Sequence, residues 1–410
     1  MASPAHSVPT DESTAASGRR APLAPAPGFA GQPFLGLIDS VLVPDPAAHD
    51  FDGAVTLRHA QFIWTWMGRD LAPDLIDLTT IDTRPGAREA LELQLPELVQ
   101  RARDAVAATE DNSELARRLR VQIGGEEVLP RLPIVLTALR CRTALEKAQA
   151  FGRAAASITD EAALMQALQS FPRDNPKVAA LLMQAAIGQV NHPGRLVAAA
   201  VRNAGEDSEA RLQRAGFAPL IDAIYSHAQA VIPTLTQLGP FADIDLTCRA
   251  VERFHRLIHA VSTYIELERG SRWSTLSAAL IKQVSELLAP KLRDLVPDVN
   301  RALRKSREGA DRLDADSVLN ALNGCYVLAT VRECRNSLAL NSLFEETWAH
   351  VGQALEMHVQ RNLDFLRADP QDRIIAARLD GAIKMVGLRF NHEYAETLRR
   401  AKDTIERRGA

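Results

Sequence analysis

Three side chains in this 410-residue sequence have types and a spacing that could do chemistry. Glu252, His255 and His259 stand at i, i+3 and i+7, so on a helix they share one face. Imidazoles four residues apart can share a metal ion, and a Glu-x-x-His step supplies ligands in di-iron bundles. Those bundles need the step on two helices, and Glu252-Arg-Phe-His255 occurs once. His350 follows Glu346 by four residues and His358 follows Glu356 by two, so neither supplies the second copy. The ordinary reading is a half-exposed helix face whose carboxylate is neutralised by Arg249, Arg253 and Arg256. No metal and no cofactor are expected. Glu252, His255 and His259 remain the first suspects if the chain is an enzyme whose site is assembled from scattered helical residues.

Other constellations carry less. Asp70, Asp74, Asp77 and Asp82 could face a hard cation, but they lack the glycine-punctuated loop of a calcium site and read as a solvated helix end. Neither a nucleophile elbow nor a glycine-rich phosphate loop is present. Cys141, Cys248, Cys325 and Cys334 form no Cys-x-x-Cys pair and sit in apolar helical patterns, where a free thiol packs as a small core residue. That usage points to a reducing compartment and hence the cytoplasm. Two basic runs, Arg301, Arg304, Lys305, Arg307 and Arg399, Arg400, Lys402, Arg407, Arg408, lie near helix C-termini, where positive charge complements the helix dipole. Read as a helix-turn-helix, Ile374 to Arg400 would offer the second run to nucleic acid. The turn composition is poor for that motif, and a net charge of −3 supplies no bulk attraction to a polyanion, so a nucleic-acid partner is not expected.

The elements that must position these residues are helical. Aromatics make up only 5% of the chain, so its cores rest on Leu, Ala, Val and Ile, a mixture that favours helix over sheet. Strand-length alternation is absent, and apolar residues recur at helical spacing through most of the sequence. The fold class is all-α: two packed multi-helix regions, as a bundle or an irregular solenoid-like stack, behind a disordered tail. Residues 1–33 form that tail, rich in Ala, Pro and Ser, with Arg19, Pro22 and Pro25 in a polyproline-ligand pattern. The N-terminal region spans 34–238 and the C-terminal region 239–410, with Leu238-Gly239-Pro240 between them. No apolar run approaches the ~18 residues of a membrane span.

Among single helices, Pro133 to Ala156 reads as one. Ser274 opens another that ends near Leu288, before Pro290 and Pro297. Asp316 to Leu366 reads as the central helix, carrying Leu322, Tyr326, Ala329, Leu340, Phe344, Val351 and Leu355 on one face and Val327, Val331, Cys334 and Leu338 on the other. A helix apolar on both sides is covered on both sides. Glu333 and Asn336 fall within the first face, with Arg332 and Arg335 at its borders, so the four form a candidate buried polar network. The resulting expectation is a non-catalytic binding or scaffolding protein that presents a helical face or groove to a protein partner.

Overall fold

The computed structural model describes residues 32–78, 86–236, 243–305 and 312–409. The expected tail, except its last two residues, lies outside them, as do Leu238-Gly239-Pro240, Asp82 and Arg307.

The chain is all-α, with one short parallel strand pair, Leu42–Val43 against Val55–Thr56. Helix α1 (Pro33–Leu37) buries Phe34 against Trp64 of α2 (Leu57–Trp66), their rings stacked at 4.5 Å. Next come α3 (Ala87–Ala107), α4 (Ser113–Gln122), α5 (Leu132–Arg140) and α6 (Arg142–Ala154). Helices α7 (Glu161–Gln169), α8 (Pro176–Gln189), α9 (Pro193–Ala204), α10 (Glu209–Arg214), α11 (Ala218–Gln229) and α12 (Ile232–Leu235) complete the first half. The second half holds α13 (Ile244–Tyr264), α14 (Arg272–Leu303), α15 (Ala315–Cys334), α16 (Asn341–Ala368), α17 (Arg373–Arg389) and α18 (His392–Gly409). Their starts follow capping chemistry: the side chains of Asn112, Asp160, Asn175, Asp243, Asp314 and Asp372 each accept from first-turn N–H groups.

Two apolar cores form. The smaller joins α1 to α6 with Leu181, Leu182, Ala185 and Ala186 of α8. The larger runs from α7 to α18 and takes Met183 and Ile187 from the same helix. Every residue from Ala179 to Ile187 is buried, so α8 is the spine the two cores share. The cores therefore divide around α8 rather than near residue 238, because α9 and α11 pack directly on α13. Close approach to α8 requires a missing side chain at Gly152 of α6, where a Cβ would stand 2.2 Å from the Ala186 carbonyl oxygen.

Three helices differ from the sequence reading. The 133–156 stretch is two helices, α5 and α6, hinged at Cys141. The stretch expected to stop near Leu288 runs for 32 residues, from Arg272 to Leu303, through both prolines. Pro290 and Pro297 are exposed, as are Glu286 and Arg293, whose carbonyls lose their helical partners. Water can replace those bonds, while Leu288, Leu292, Leu295 and Val299 hold the opposite face in the core.

The third difference concerns the stretch from Asp316 to Leu366. It is not one helix: α15 stops at Cys334, a 3-10 turn covers Arg335–Ser337, Leu338 is extended, and α16 begins at Asn341. The break is pinned from outside. The Ser285 hydroxyl accepts from the Ala339 N–H at 2.8 Å, the Ser337 hydroxyl meets Nδ1 of His255 at 2.9 Å, and Leu338 and Leu340 are buried.

Gly152→Ala separates local propensity from packing. In an exposed helix the change stabilises by about 1 kcal/mol. Here the clash with α8 is expected to reverse the sign, lowering stability by about 1–3 kcal/mol in urea denaturation. Leu338→Ala is expected to cost about 2–5 kcal/mol. Arg301→Ala, at an exposed position, should stay within about 0.5 kcal/mol.

Candidate functional site

Helix α13 brings the first suspects together on one face. The rings of His255 and His259 stack, with centroids 5.2 Å apart and planes 15° from parallel. Imidazole lone pairs lie in the ring plane, so two near-parallel rings cannot both aim at one ion between them. Glu252 lies 4.0 Å from Arg256. Among the described residues, no group of three or more His, Cys, Asp or Glu is placed to hold a metal. His255 and Ser337 stand at the spacing of a base and a hydroxyl nucleophile. Ser337 is only 1% exposed, so no substrate carbonyl can reach its hydroxyl, and the pair serves the helix break.

Arg332, Glu333, Arg335 and Asn336 do not form a buried network: all four are exposed. The sequence reading exchanged the faces of α15. Leu322, Tyr326 and Ala329 are half-buried and lead outward to Glu333, while Val327, Val331 and Cys334 face the core. Asn336 follows the last helical residue, so helical phase does not apply to it.

The buried polar groups lie elsewhere. At the end of α8, Arg253 turns inward from α13 and donates to the carbonyls of Ile187, at 2.7 Å, and Val190. Burial pushes its basicity down to about 10, and Arg256 adds to the fall. His227 of α11 donates from Nε2 to the Gln184 carbonyl at 2.8 Å. Burial, and then the Arg253 charge, push His227 down to about 4. A second group sits between α14, α16 and α17. His358 donates from Nε2 to Asn300 at 2.8 Å, and Asn362 donates to the carbonyls of His358 and Leu303. Arg378 is 1% exposed, and its charge helps burial and Arg361 lower the basicity of His358. The signal for this group was present in the sequence: His358 and Asn362 fall 7 and 11 residues after Val351, in phase with its buried face.

One constellation reaches the surface. Trp348 on α16 carries two guanidinium groups over its ring, Arg389 with Cζ 4.1 Å from the centroid and Arg332 at 5.0 Å. Arg389 also covers Phe390 at 4.7 Å, Phe390 meets Tyr394 edge-on at 5.6 Å, and Phe344 backs Trp348 at 5.5 Å. This row draws side chains from α15, α16, α17 and α18. Arg389 is fixed by donating from Nε to the Trp348 carbonyl at 2.7 Å. It lies across Gly352, where a Cβ would stand 2.8 Å from a guanidinium nitrogen. Sequence reasoning missed the row because its members are scattered from 332 to 394 and only the break in the chain brings Arg332 back to Trp348. By contrast, the concavity lined by Ala155, Ala156, Val190, His192, Arg195 and Leu196 encloses about 10 Å³, room for roughly one water.

Comparisons of the chain with family models, curated proteins and solved structures return no match.

Histidines partly or fully withdrawn from water set an acid limit. The His227 pKa falls from the ordinary 6.5 in the unfolded chain to about 4 in the fold. Between those values the unfolded chain binds a proton that the folded chain does not, so stability is full above pH 6.5 and is lost as pH falls toward 4. His59, His255 and His358 are shifted in the same direction. The urea midpoint is expected to drop between about pH 6.5 and 4.5, and to drop less in His227→Gln, which keeps a donor for the Gln184 carbonyl. A midpoint flat across that window contradicts the assignment.

Proposed function

We propose that this chain is a non-catalytic helical binding protein that presents the Trp348 face to a protein partner in the cytoplasm. The observation that carries the reading is the row of Trp348, Arg389, Arg332 and Phe390, which gathers exposed and half-buried side chains from three helices on one face. Tryptophan and arginine are the residues most enriched where binding energy concentrates. A stacked arginine held by a backbone bond gives up little freedom on docking. The cytoplasmic setting is supported by four free cysteines, three of them buried.

A photo-crosslinking residue at exposed Ala349 tests the face in living cells. A discrete protein adduct is expected, lost in a chain that also carries Trp348→Ala and absent when the crosslinker stands at Arg117 on α4. Trp348→Ala should weaken the recovered partner by roughly tenfold or more, with the thermal midpoint measured alongside. Equal adducts at both positions, or none at Ala349, would sink the reading.

A further inference from the structure

We propose that the partner docks on the Trp348 face through an acidic segment whose carboxylates pair with the Arg332 and Arg389 guanidinium groups beside the indole. This rests on the reading of that face as a partner surface and names the chemistry it selects.

Charge complementarity is the argument. Two full positive charges are gathered on one ring, and like charges so placed repel. Among the described residues, neither Arg332 nor Arg389 has a carboxylate at ion-pair distance. The neighbouring Arg335 does: Glu345 stands 3.8 Å from it. Arg389 is partly withdrawn from water, and burial pulls its basicity down; Glu356 opposes that fall and Arg332 adds to it. The cation is nonetheless held in place by the Trp348 carbonyl and by the missing side chain at Gly352. An incoming anion would therefore meet one donor group, Arg389, already positioned.

The surroundings decide which anion. Glu333, Glu345 and Glu346 are exposed in the same stretches of chain. Glu345 is neutralised by Arg335, and the remaining carboxylates oppose a doubly charged phosphate more than a single carboxylate at the same place. A polyphosphate backbone would meet the same carboxylates, and the net charge of −3 does not favour it. The aromatic surface beside the two cations, Trp348 with Phe390 and Tyr394, suits Asp or Glu interleaved with apolar residues.

The test uses the full chain and a displayed library of random peptides, counter-selected on Trp348→Ala protein. Peptides kept by the wild-type chain alone are expected to be enriched several-fold in Asp and Glu. For the best of them, fluorescence anisotropy should show at least tenfold weaker binding to Arg332→Gln and to Arg389→Gln, and no change with Arg301→Gln. Replacing its acidic residues by Gln should cost as much. Because Arg332 is exposed, its variant keeps the fold, and an unchanged melting curve confirms it. Recovery of neutral or basic peptides overturns the proposal. So does tighter binding when phosphoserine replaces the acidic residue. If the Ala349 crosslink still traps a protein while acidic peptides fail, the partner face stands and only its acidic selectivity falls. If the crosslink is also absent, both readings fall.

Discussion

A helix buried around its whole circumference can be approached closely only where its neighbours carry little or no side chain. Helix α8 imposes that constraint on the whole molecule. Its Ala179, Ala180, Ala185 and Ala186 leave the backbone within reach, and Gly152 of α6 comes down onto it. One side grips the smaller core and the other the larger, so each core is completed by the same helix. Such packing relies on many short dispersion contacts rather than on large side chains. A chain with few aromatics can build a core this way.

The constraint has a polar counterpart. A helix ending inside the protein leaves carbonyls that water cannot reach. Helix α8 hands those of Ile187 and Val190 to Arg253, and one turn earlier its Gln184 carbonyl takes a further bond from His227. A buried cation fixed by carbonyls rather than by a carboxylate is costly to disturb, since its removal strands several acceptors together. The same device recurs at the break between α15 and α16, where Ser285 and His255 meet the Ala339 N–H and the Ser337 hydroxyl. His255, singled out by its catalytic type, thus serves the packing of a neighbouring chain break.

Much of this architecture was legible in the sequence, and the exceptions share a cause. Helical class follows from apolar spacing, and the starts of α8 and α13 follow from the capping side chains of Asn175 and Asp243. Where tertiary packing outweighed local preference, reading failed. Pro290 and Pro297 end a helix by propensity, yet the buried leucines on the opposite face carry α14 through them. Arg335 to Ala339 contains no proline or glycine, and nothing local announces that the helix stops there. The stop is imposed by side chains some 54 and 82 residues away in sequence. Of the candidate site, Glu252, His255 and His259 were found on one helix face, but their ring orientation could not be. Arg332 was singled out, though as part of a buried network. Trp348, Arg389 and Phe390 were not linked, because their proximity is a product of the tertiary fold.

The break also separates two quantities that usually travel together. Arg332 and Trp348 are sixteen residues apart, a distance of about 24 Å along an unbroken helix, yet they are in ring contact. Straightening the chain through residues 335–340 would add hydrogen-bonded turns while pulling this surface apart. Total helix content would be unchanged or slightly higher as the surface was lost. Secondary-structure spectroscopy is therefore blind to whether the Trp348 face exists, and a substitution that looks benign by that measure can still erase it.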